Sequence, residues 1–240
     1  MMDFTDGEVL YIDKPYGMSS FGALARVRFL ISQTLGVKRV KTGHAGTLDP
    51  LATGVLILCT GRKTKDIERL QGQTKEYVAT LQLGATTASF DMEHTVDATY
   101  PTAHITRTLA ETVLARFVGE IQQVPPEYSA CKIDGHRAYR LKRTGHEVEL
   151  KPKTLRIDGI ELMSFDRERM RMDIRVVCGK GTYIRALARD IGAALGSGAF
   201  LTALRRTRVG EVRACDCVTL DDFPAWLDRQ DIGTIKKEGE

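Results

Sequence analysis

A short segment of the chain, residues 43–54, brings together groups that can do chemistry. It reads GHAGTLDPLATG and contains one imidazole, His44, and one carboxylate, Asp49. Its glycines and Pro50 restrict the backbone to a tight loop. A carboxylate fixed in such a loop can act as a nucleophile or stabilise a developing cation. The same pattern is typical of a Gly/Pro turn whose carboxylate only accepts backbone hydrogen bonds, and the segment alone favours that simpler interpretation.

Three side chains elsewhere are suited to holding a nucleobase. Tyr77 offers a flat ring, and stacking a base on an aromatic ring contributes roughly 1–3 kcal/mol. Arg185 carries a guanidinium that can keep a carboxylate ionised and in position, and Leu204 can form an apolar wall. Each has an ordinary alternative, namely a core tyrosine, a surface ion pair and a core leucine.

Alternating and helical patterns predict the elements that position these residues. The strands are predicted at 8–12, 54–59, 75–84, 170–178 and 201–212, and the helices at about 19–35, 105–117, 183–195 and 220–227. Tyr77 and Leu204 then lie on strands, Arg185 in the first turn of a helix and Asp49 in a loop at 41–52. Because no regular βαβ repeat appears, we predict an α+β fold with a mixed, largely antiparallel sheet flanked by helices.

The predicted domain organisation is simple. One catalytic domain is expected at 1–228, followed by a polar tail at 229–240. A stretch from about 122 to 150 contains Pro125-Pro126, basic residues and two tyrosines. We expect this stretch to be an insertion exposed to solvent or to a partner.

Composition narrows the class of protein. The chain has 240 residues and a net charge of +4, and its basic residues cluster at 26–28, 38–41, 62–65, 132–143 and 205–208. Such clusters suit a polyanion partner and a solvated surface equally well. No apolar run approaches the roughly 18 residues of a membrane span, and the acidic N-terminus is unlike a secretory signal, so a cytoplasmic protein is expected.

The five cysteines are odd in number and scattered, which favours reduced thiols. Cys215 and Cys217 form a C-x-C pair with no second Cys/His cluster nearby. We therefore interpret them as strand residues and expect no metal site.

Six segments, in order from Val9 to about Leu220, resemble the TruB family of tRNA pseudouridine synthases. They are DKPYGMSS at 13–20, GHAGTLDPLATGVL at 43–56, KEY at 75–77, VPPEYSACK at 124–132 followed by GHRAY at 135–139, GKGTYIRALARDIG at 179–192, and LRR at 204–206. The loop pattern H-x-G-x-L-D-P is the most specific of them. The resemblance implies the pseudouridine synthase fold and conversion of a uridine in the tRNA T-arm, at position 55, to pseudouridine.

The resemblance also implies roles for single residues. Asp49 is the expected nucleophile, and His44 is expected to displace the target base. The expected pocket around the flipped uracil consists of Tyr77 as the stacking platform, Tyr183, Arg185 paired with Asp49, and Leu204 as the apolar wall. Lys14 and Pro15 are expected to support the loop from the first strand, and the insertion at about 122–150 to grip the RNA.

The chemistry fits these residue types. The N–C glycosidic bond breaks, uracil rotates and a C–C bond forms, so nothing is oxidised and no cofactor or metal is required. Attack by the carboxylate at the sugar or at the base, and a glycal route, all stay open. The uridine must flip out of its stack at a cost of a few kcal/mol. Nothing in the sequence demands a dimer, and a monomer is expected.

The sequence departs from the family pattern in two places. Segment 87–94 keeps Asp91 but has Ala88 where the family has an acidic residue and His94 at a glycine position, which puts any role there in doubt. The chain also stops too early for the C-terminal PUA domain that many members carry. We therefore expect a weaker grip on full tRNA, with action on an isolated T-arm hairpin retained.

Two other classes of function compete with this interpretation. A non-catalytic RNA-binding protein or tRNA-folding chaperone would keep the basic clusters and Tyr77 without needing Asp49. A glycosidase-like hydrolase normally uses two carboxylates, whereas the loop contains only Asp49. Pseudouridine, annealed RNA or free uracil as the product distinguishes the three.

Overall fold

The computed structural model describes residues 1–128 and 150–233, and the backbone alone of 132–133 and 136–137. The insertion predicted at about 122–150, with Cys131 and most of the family segment at 124–139, falls largely outside the described residues, as does the tail from 234 onward. The strands are β1 (Val9–Lys14), β2 (Thr42–Ala45), β3 (Ala52–Thr60), β4 (Lys75–Leu83), β5 (Ala85–Thr87), β6 (Val96–Thr99), β7 (Gly119–Gln123), β8 (Lys132–Ile133), β9 (His136–Arg137), β10 (Lys153–Asp166), β11 (Arg171–Cys178), β12 (Ala199–Val209), β13 (Val212–Arg213) and β14 (Val218–Thr219). The helices are α1 (Ser20–Thr34), α2 (Ile67–Gly72), α3 (Arg107–Ala115), α4 (Ile184–Ala194) and α5 (Phe223–Asp228), with short 3-10 turns at Gly61–Asp66 and Ala214–Asp216.

The chain divides into two compact units. Unit 1 comprises Met1–Gln73 and Arg205–Glu240, and unit 2 comprises Thr74–Leu204. Strand β12 crosses the boundary, because its residues 199–204 belong to unit 2 and 205–209 to unit 1. The predicted single catalytic domain from 1 to 228 stays a prediction.

Unit 1 contains the strand order β14-β1-β3-β12, with β2 also paired to β3 and β13 to β12. The pairing of β1 with β14 is parallel, whereas β1 with β3, β2 with β3 and β12 with β13 are antiparallel. Helix α1 packs against β2 and α5. A core formed by side chains from β1, α1, β3 and α5, including Ile12, Val27, Leu56 and Phe223, fills this unit.

Unit 2 contains the strand order β12-β4-β11-β10-β7 and a separate hairpin of β5 with β6. The pairings of β4 with β11, β11 with β10 and β10 with β7 are all antiparallel. Helix α3 packs against β10 and α4, and α4 against β4. The predicted α+β fold with a mixed, largely antiparallel sheet is therefore confirmed.

Two elements show why the sequence forms them. Helix α1 begins where the Ser19 hydroxyl accepts a hydrogen bond from the Gly22 amide at 3.0 Å, which is an N-cap. It ends before Gly36, whose φ of 64° is the left-handed conformation that glycine favours. In β4, burial alternates along the strand from Tyr77 to Leu83, as the period of two requires.

Several predictions need correction. The loop predicted at 41–52 contains strand β2, which pairs with β3. The strand predicted at 201–212 ends at Val209, because Gly210 (φ 56°) turns the chain back into β13. Cys215 and Cys217 lie in and just after a 3-10 turn rather than in a strand. None of the helices within the described ranges combines the length and apolar character that a membrane crossing requires.

Candidate active site

The Asp49 loop connects β2 to β3 in unit 1, and its backbone bonds define a tight turn. The Asp49 carbonyl accepts a hydrogen bond from the Ala52 amide at 3.1 Å, and the Pro50 carbonyl accepts one from the Gly17 amide at 2.9 Å. The Asp49 side chain is half-buried. The loop therefore rests on the turn that follows β1.

A serine fixes the residue before Asp49. The Ser20 hydroxyl donates to the Leu48 carbonyl at 2.9 Å and accepts from the Leu48 amide at 2.8 Å. Ser20 and Leu48 are both buried, so water does not compete for these bonds. Helix α1 thereby ties its first residue to the backbone immediately before Asp49.

Lys14, the last residue of β1, is fully buried. Its ammonium donates to the carbonyls of Pro15 at 2.8 Å, Met18 at 2.6 Å and Pro50 at 3.3 Å. The pKa of this ammonium is lowered from 10.5 to about 8, chiefly by burial; the Asp49 carboxylate raises it and Arg206 lowers it. Lys14 therefore contacts the loop through Pro50 and interacts electrostatically with Asp49.

Arg206 on β12 is a site residue that the sequence analysis did not single out, although it stands in the LRR segment. Its side chain is buried and donates to the carbonyls of Val55 at 2.7 Å, Gly46 at 3.1 Å and Thr47 at 3.5 Å. Gly54 lies against the same residue, because a Cβ there would stand 2.1 Å from the Arg206 carbonyl oxygen. Only glycine fits at position 54, near the start of β3.

His44 lies on β2, where it pairs in register with Leu58 of β3. Its side chain is half-buried. Two residues later, Gly46 adopts a φ of 97°, and this left-handed residue ends the strand. His44 and Asp49 thus belong to one strand–loop unit, as their spacing predicts.

In unit 2, Arg185 occupies the first turn of α4 and is only 4% exposed. Its guanidinium donates to the carbonyls of Ser89 at 3.1 Å and Tyr128 at 3.0 Å. Its Nε lies 3.7 Å from an oxygen of the Asp91 carboxylate. Bonds in several directions hold the guanidinium plane in one orientation.

Asp91 belongs to the segment whose role the sequence left in doubt. Besides Arg185, its carboxylate accepts from the Ser89 hydroxyl at 2.5 Å and from the Glu93 amide at 3.0 Å. Phe90 between them has a φ of 60°, and the Arg189 guanidinium lies 5.1 Å from its ring centroid. Asp91, which this sequence shares with the family pattern, was the one sequence feature that could have indicated this buried pair. The structure gives Ala88 no part in it.

The other predicted residues of unit 2 lie on three of its elements. Tyr77 lies on β4, opposite Val176 of β11, and is 8% exposed. Tyr183 precedes α4, and its amide and carbonyl both bond to the side chain of Gln123, at 2.9 and 3.2 Å. Leu204 is half-buried on β12.

The predicted site residues are thus divided between the units. Unit 1 contains Lys14, His44 and Asp49, and unit 2 contains the residues predicted to bind the base, namely Tyr77, Tyr183, Arg185 and Leu204. In unit 1, Lys14 contacts the Asp49 loop through its bond to the Pro50 carbonyl. The ion pair predicted between Asp49 and Arg185 stays a prediction.

Comparison with known proteins places this chain among enzymes. The family profile described as TruB family pseudouridylate synthase (N terminal domain) matches residues 33–184, and that of the tRNA pseudouridylate synthase B C-terminal domain matches residues 185–235. A protein of Phocaeicola vulgatus named tRNA pseudouridine synthase B is 61% identical over 237 residues, which are 99% of this chain and 100% of that protein. A protein of the same name from Flavobacterium johnsoniae is 48% identical over 222 residues, 92% of this chain and 96% of that protein.

Solved structures confirm the predicted pseudouridine synthase fold. The crystal structure of a Cbf5-Nop10-Gar1 complex contains a chain that is 29% identical, with a TM-score of 0.68 over 93% of this chain. A structure of an H/ACA RNP bound to a substrate RNA containing 2'-deoxyuridine has a TM-score of 0.65 at 28% identity, again over 93% of this chain. This chain covers 55% and 54% of those two chains. The matched profiles and near full-length relatives show that this chain belongs to the TruB family of pseudouridylate synthases, which are isomerases.

Proposed function

We propose that this protein converts the uridine at position 55 in the T-arm of tRNA to pseudouridine, with Asp49 as the nucleophile. The observation that carries the proposal is the Asp49 loop, whose carboxylate stands in the most specific family segment. Buried groups tie that loop down on both sides of the acid, through Leu48 and Pro50. The full-length relatives named tRNA pseudouridine synthase B support the choice of tRNA.

The proposed reaction begins with eversion of the uridine from its stack, which costs a few kcal/mol. His44 helps to displace the base, and the uracil stacks on Tyr77, with Tyr183 and Leu204 lining the pocket. Stacking contributes roughly 1–3 kcal/mol and offsets the cost of eversion. Half-burial of His44 and the strand position of Tyr77 support these assignments.

The Asp49 carboxylate then assists cleavage of the N–C glycosidic bond, by covalent attack or by stabilising a cationic sugar. Uracil rotates, C5 bonds to the sugar carbon, and the proton lost from C5 is balanced by one gained at N1. Arg185 pairs with Asp49 in this proposal and keeps it ionised. Lys14 supports the loop from β1, as its bond to the Pro50 carbonyl suggests.

RNA binding is proposed to rest on shape and on phosphate contacts made by the basic clusters. The protein is proposed to act as a monomer in the cytoplasm. An isolated T-arm hairpin is expected to be a substrate.

The test uses a T-arm hairpin labelled with tritium at C5 of its target uridine, because isomerisation releases that label. Wild-type protein is expected to release it and Asp49→Asn to release none, while both bind the hairpin alike. Asp221→Asn is a matched control, since that carboxylate is 91% exposed and pairs only loosely with Arg26, at 3.5 Å. RNA annealing that survives Asp49→Asn would instead support a chaperone, and free uracil would support a hydrolase.

A further inference from the structure

Arg206 is an unusual residue for a strand of unit 1, because its guanidinium is buried while all its hydrogen bonds go to the backbone. Its relative exposure is 1%, and it is the bulkiest of the fully buried side chains. The three acceptors are the carbonyls of Gly46, Thr47 and Val55. A buried cation is costly unless its surroundings compensate it, so such a residue calls for a reason beyond packing.

The position of the three carbonyls suggests that reason. Gly46 and Thr47 directly precede the Leu48-Asp49 pair, and Val55 lies on β3 after the loop has returned. One rigid guanidinium therefore joins the two ends of the segment that carries Asp49. Its planar fork suits several acceptors at once, which a lysine ammonium on a flexible stem does not reproduce.

The bonds made by Ser20 and Lys14 differ from those made by Arg206 in the element that they connect to the loop. Ser20 holds Leu48, and Lys14 holds Pro50, so the residues adjacent to Asp49 are fixed to α1 and β1. Of the three residues Ser20, Lys14 and Arg206, Arg206 is the one that connects the loop to β12. It does so through carbonyls that lie before Asp49 and one that lies after it. Without Arg206, the loop keeps its contacts with β1 and α1 but loses its bonds to β12.

We propose that Arg206 is a positioning residue for the isomerisation, whose guanidinium fixes the backbone of the Asp49 loop so that the carboxylate meets the nucleoside in one orientation. This proposal rests on the proposed function of Asp49. It assigns Arg206 no contact with the substrate. Misplacement of a reacting group by about 1 Å can lower a rate about 100-fold, so a loosened loop has a measurable consequence.

The pKa of Lys14 depends on the same arrangement of Arg206 and Asp49. The pKa of Lys14 is about 8 because burial lowers it, Asp49 raises it and Arg206 lowers it. These two are the charged groups that act on the ammonium. Removal of the Arg206 charge is therefore expected to raise the pKa of Lys14. Substitution by lysine keeps the charge, so the pKa of Lys14 is expected to stay the same.

The experiment measures single-turnover pseudouridine formation on the T-arm hairpin by wild type, Arg206→Met and Arg206→Lys. We expect Arg206→Met to lower the rate constant at saturating RNA about 100-fold and to leave the hairpin Kd within about twofold, because no RNA contact is lost. Arg206→Lys is expected to recover part of the loss. If the rate falls at alkaline pH as Lys14 loses its proton, the midpoint of that fall is expected near pH 8 in the wild type. The midpoint should lie at higher pH in Arg206→Met and should not move in Arg206→Lys.

Leu227→Ala serves as the matched control for stability, because Leu227 is buried in the core of unit 1 and its truncation costs roughly 2–5 kcal/mol. All variants are compared at a temperature where circular dichroism shows them folded. A loss in Arg206→Met no larger than in Leu227→Ala, or one that appears in Kd instead of the rate constant, overturns the proposal. Wild-type protein that forms no pseudouridine overturns the proposed function, and this inference with it.

Discussion

The two units hold the backbone and side chains around Asp91 and Asp49 in different ways. In unit 2, the Asp91 carboxylate is contacted directly by the Arg185 guanidinium, the Ser89 hydroxyl and a backbone amide. In unit 1, the segment around Asp49 is held through its main chain, by Lys14 on the Pro50 carbonyl and by Arg206 on the carbonyls of Gly46 and Thr47.

The difference agrees with the roles proposed for the two acids, in which Asp91 supports a neighbouring side chain and Asp49 reacts. Direct bonds occupy the oxygens of Asp91 and fix Arg185, so this acid is suited to orienting a neighbour. Bonds to the main chain hold the segment around Asp49, and in the proposed function the carboxylate of this residue reacts with the substrate. Four predictions test this comparison, and each changes a residue of one of the two units.

The largest effect is expected at Arg185 in unit 2. Arg185→Lys keeps the positive charge but removes the planar fork that reaches Ser89, Tyr128 and Asp91, and a lysine ammonium does not reproduce that geometry. We expect single-turnover pseudouridine formation to fall about 100-fold or more.

The control is Arg107→Lys in the same unit, whose pairing with Glu111 is solvent-exposed on both sides. Exposed pairs contribute about 0–1 kcal/mol, so its rate and melting temperature should match the wild type. Equal effects of the two substitutions would remove the distinction between a buried supporting pair and an ordinary surface pair.

The second prediction concerns the protonation of Lys14 in unit 1. Its pKa is about 8 in the folded protein and 10.5 in the unfolded chain. Between these values the unfolded state binds more protons, so stability rises as the pH rises. Relative to Lys14→Met, the wild type should gain at most about 3 kcal/mol of unfolding free energy between pH 7.5 and pH 10.

Urea unfolding of both proteins at the two pH values measures this gain. Burial raises the pKa of the Cys59 and Cys217 thiols to about 11 and about 12, but both proteins share these groups and their effects cancel in the difference. Lys63→Met removes an exposed lysine and should show no such pH dependence. A constant difference between wild type and Lys14→Met would mean that the ammonium is not buried as described.

The sequence predicts the regular elements well where burial has a strong period. Strand β4 and helix α4 agree with their predicted limits within about two residues, because Tyr77 to Leu83 alternate and Ile184, Leu187, Ala188 and Ile191 share one buried helix face. Strand β10 was not predicted, since its exposure pattern is irregular and the pairing with β11 shifts register near Gly159 and Ser164. Long-range pairing determines such a strand, and no local pattern indicates it.

The same limit applies to the candidate site. Spacing within residues 43–54 predicts a loop with Asp49, and the structure gives that loop between β2 and β3. The partners Ser20 and Arg206 are 28 and 160 residues away from the loop carbonyls that they bind. A contact at that separation depends on how the strands pair. In the sequence, Ser20 therefore appears only as a serine at the start of a predicted helix, and Arg206 only as one of several basic residues.

The third prediction separates stacking from other roles of Tyr77. Tyr77→Phe keeps the ring on β4 and Tyr77→Leu removes it, while both stay apolar in a buried position. Loss of roughly 1–3 kcal/mol of stacking predicts that Tyr77→Leu forms pseudouridine about 10- to 100-fold more slowly than Tyr77→Phe. Fluorescence of a hairpin with 2-aminopurine beside the target uridine measures eversion in the same samples. Equal rates for the two variants would place the function of Tyr77 in its hydroxyl or its packing, and unit 2 would lose its proposed base platform.

The smallest effect is expected at the serine that ties α1 to the loop. Ser20→Ala removes both bonds to Leu48 and leaves buried backbone groups without that partner, at a cost of roughly 1–3 kcal/mol. The neighbouring Ser19→Ala removes the N-cap bond to Gly22 and costs about 1 kcal/mol. The two variants thus lose comparable stability, but only Ser20 touches the Asp49 segment, so about a tenfold lower rate is expected for Ser20→Ala alone. If Ser19→Ala slows the reaction as much, the rate follows the stability of α1, and main-chain anchoring next to Asp49 is not what positions the nucleophile.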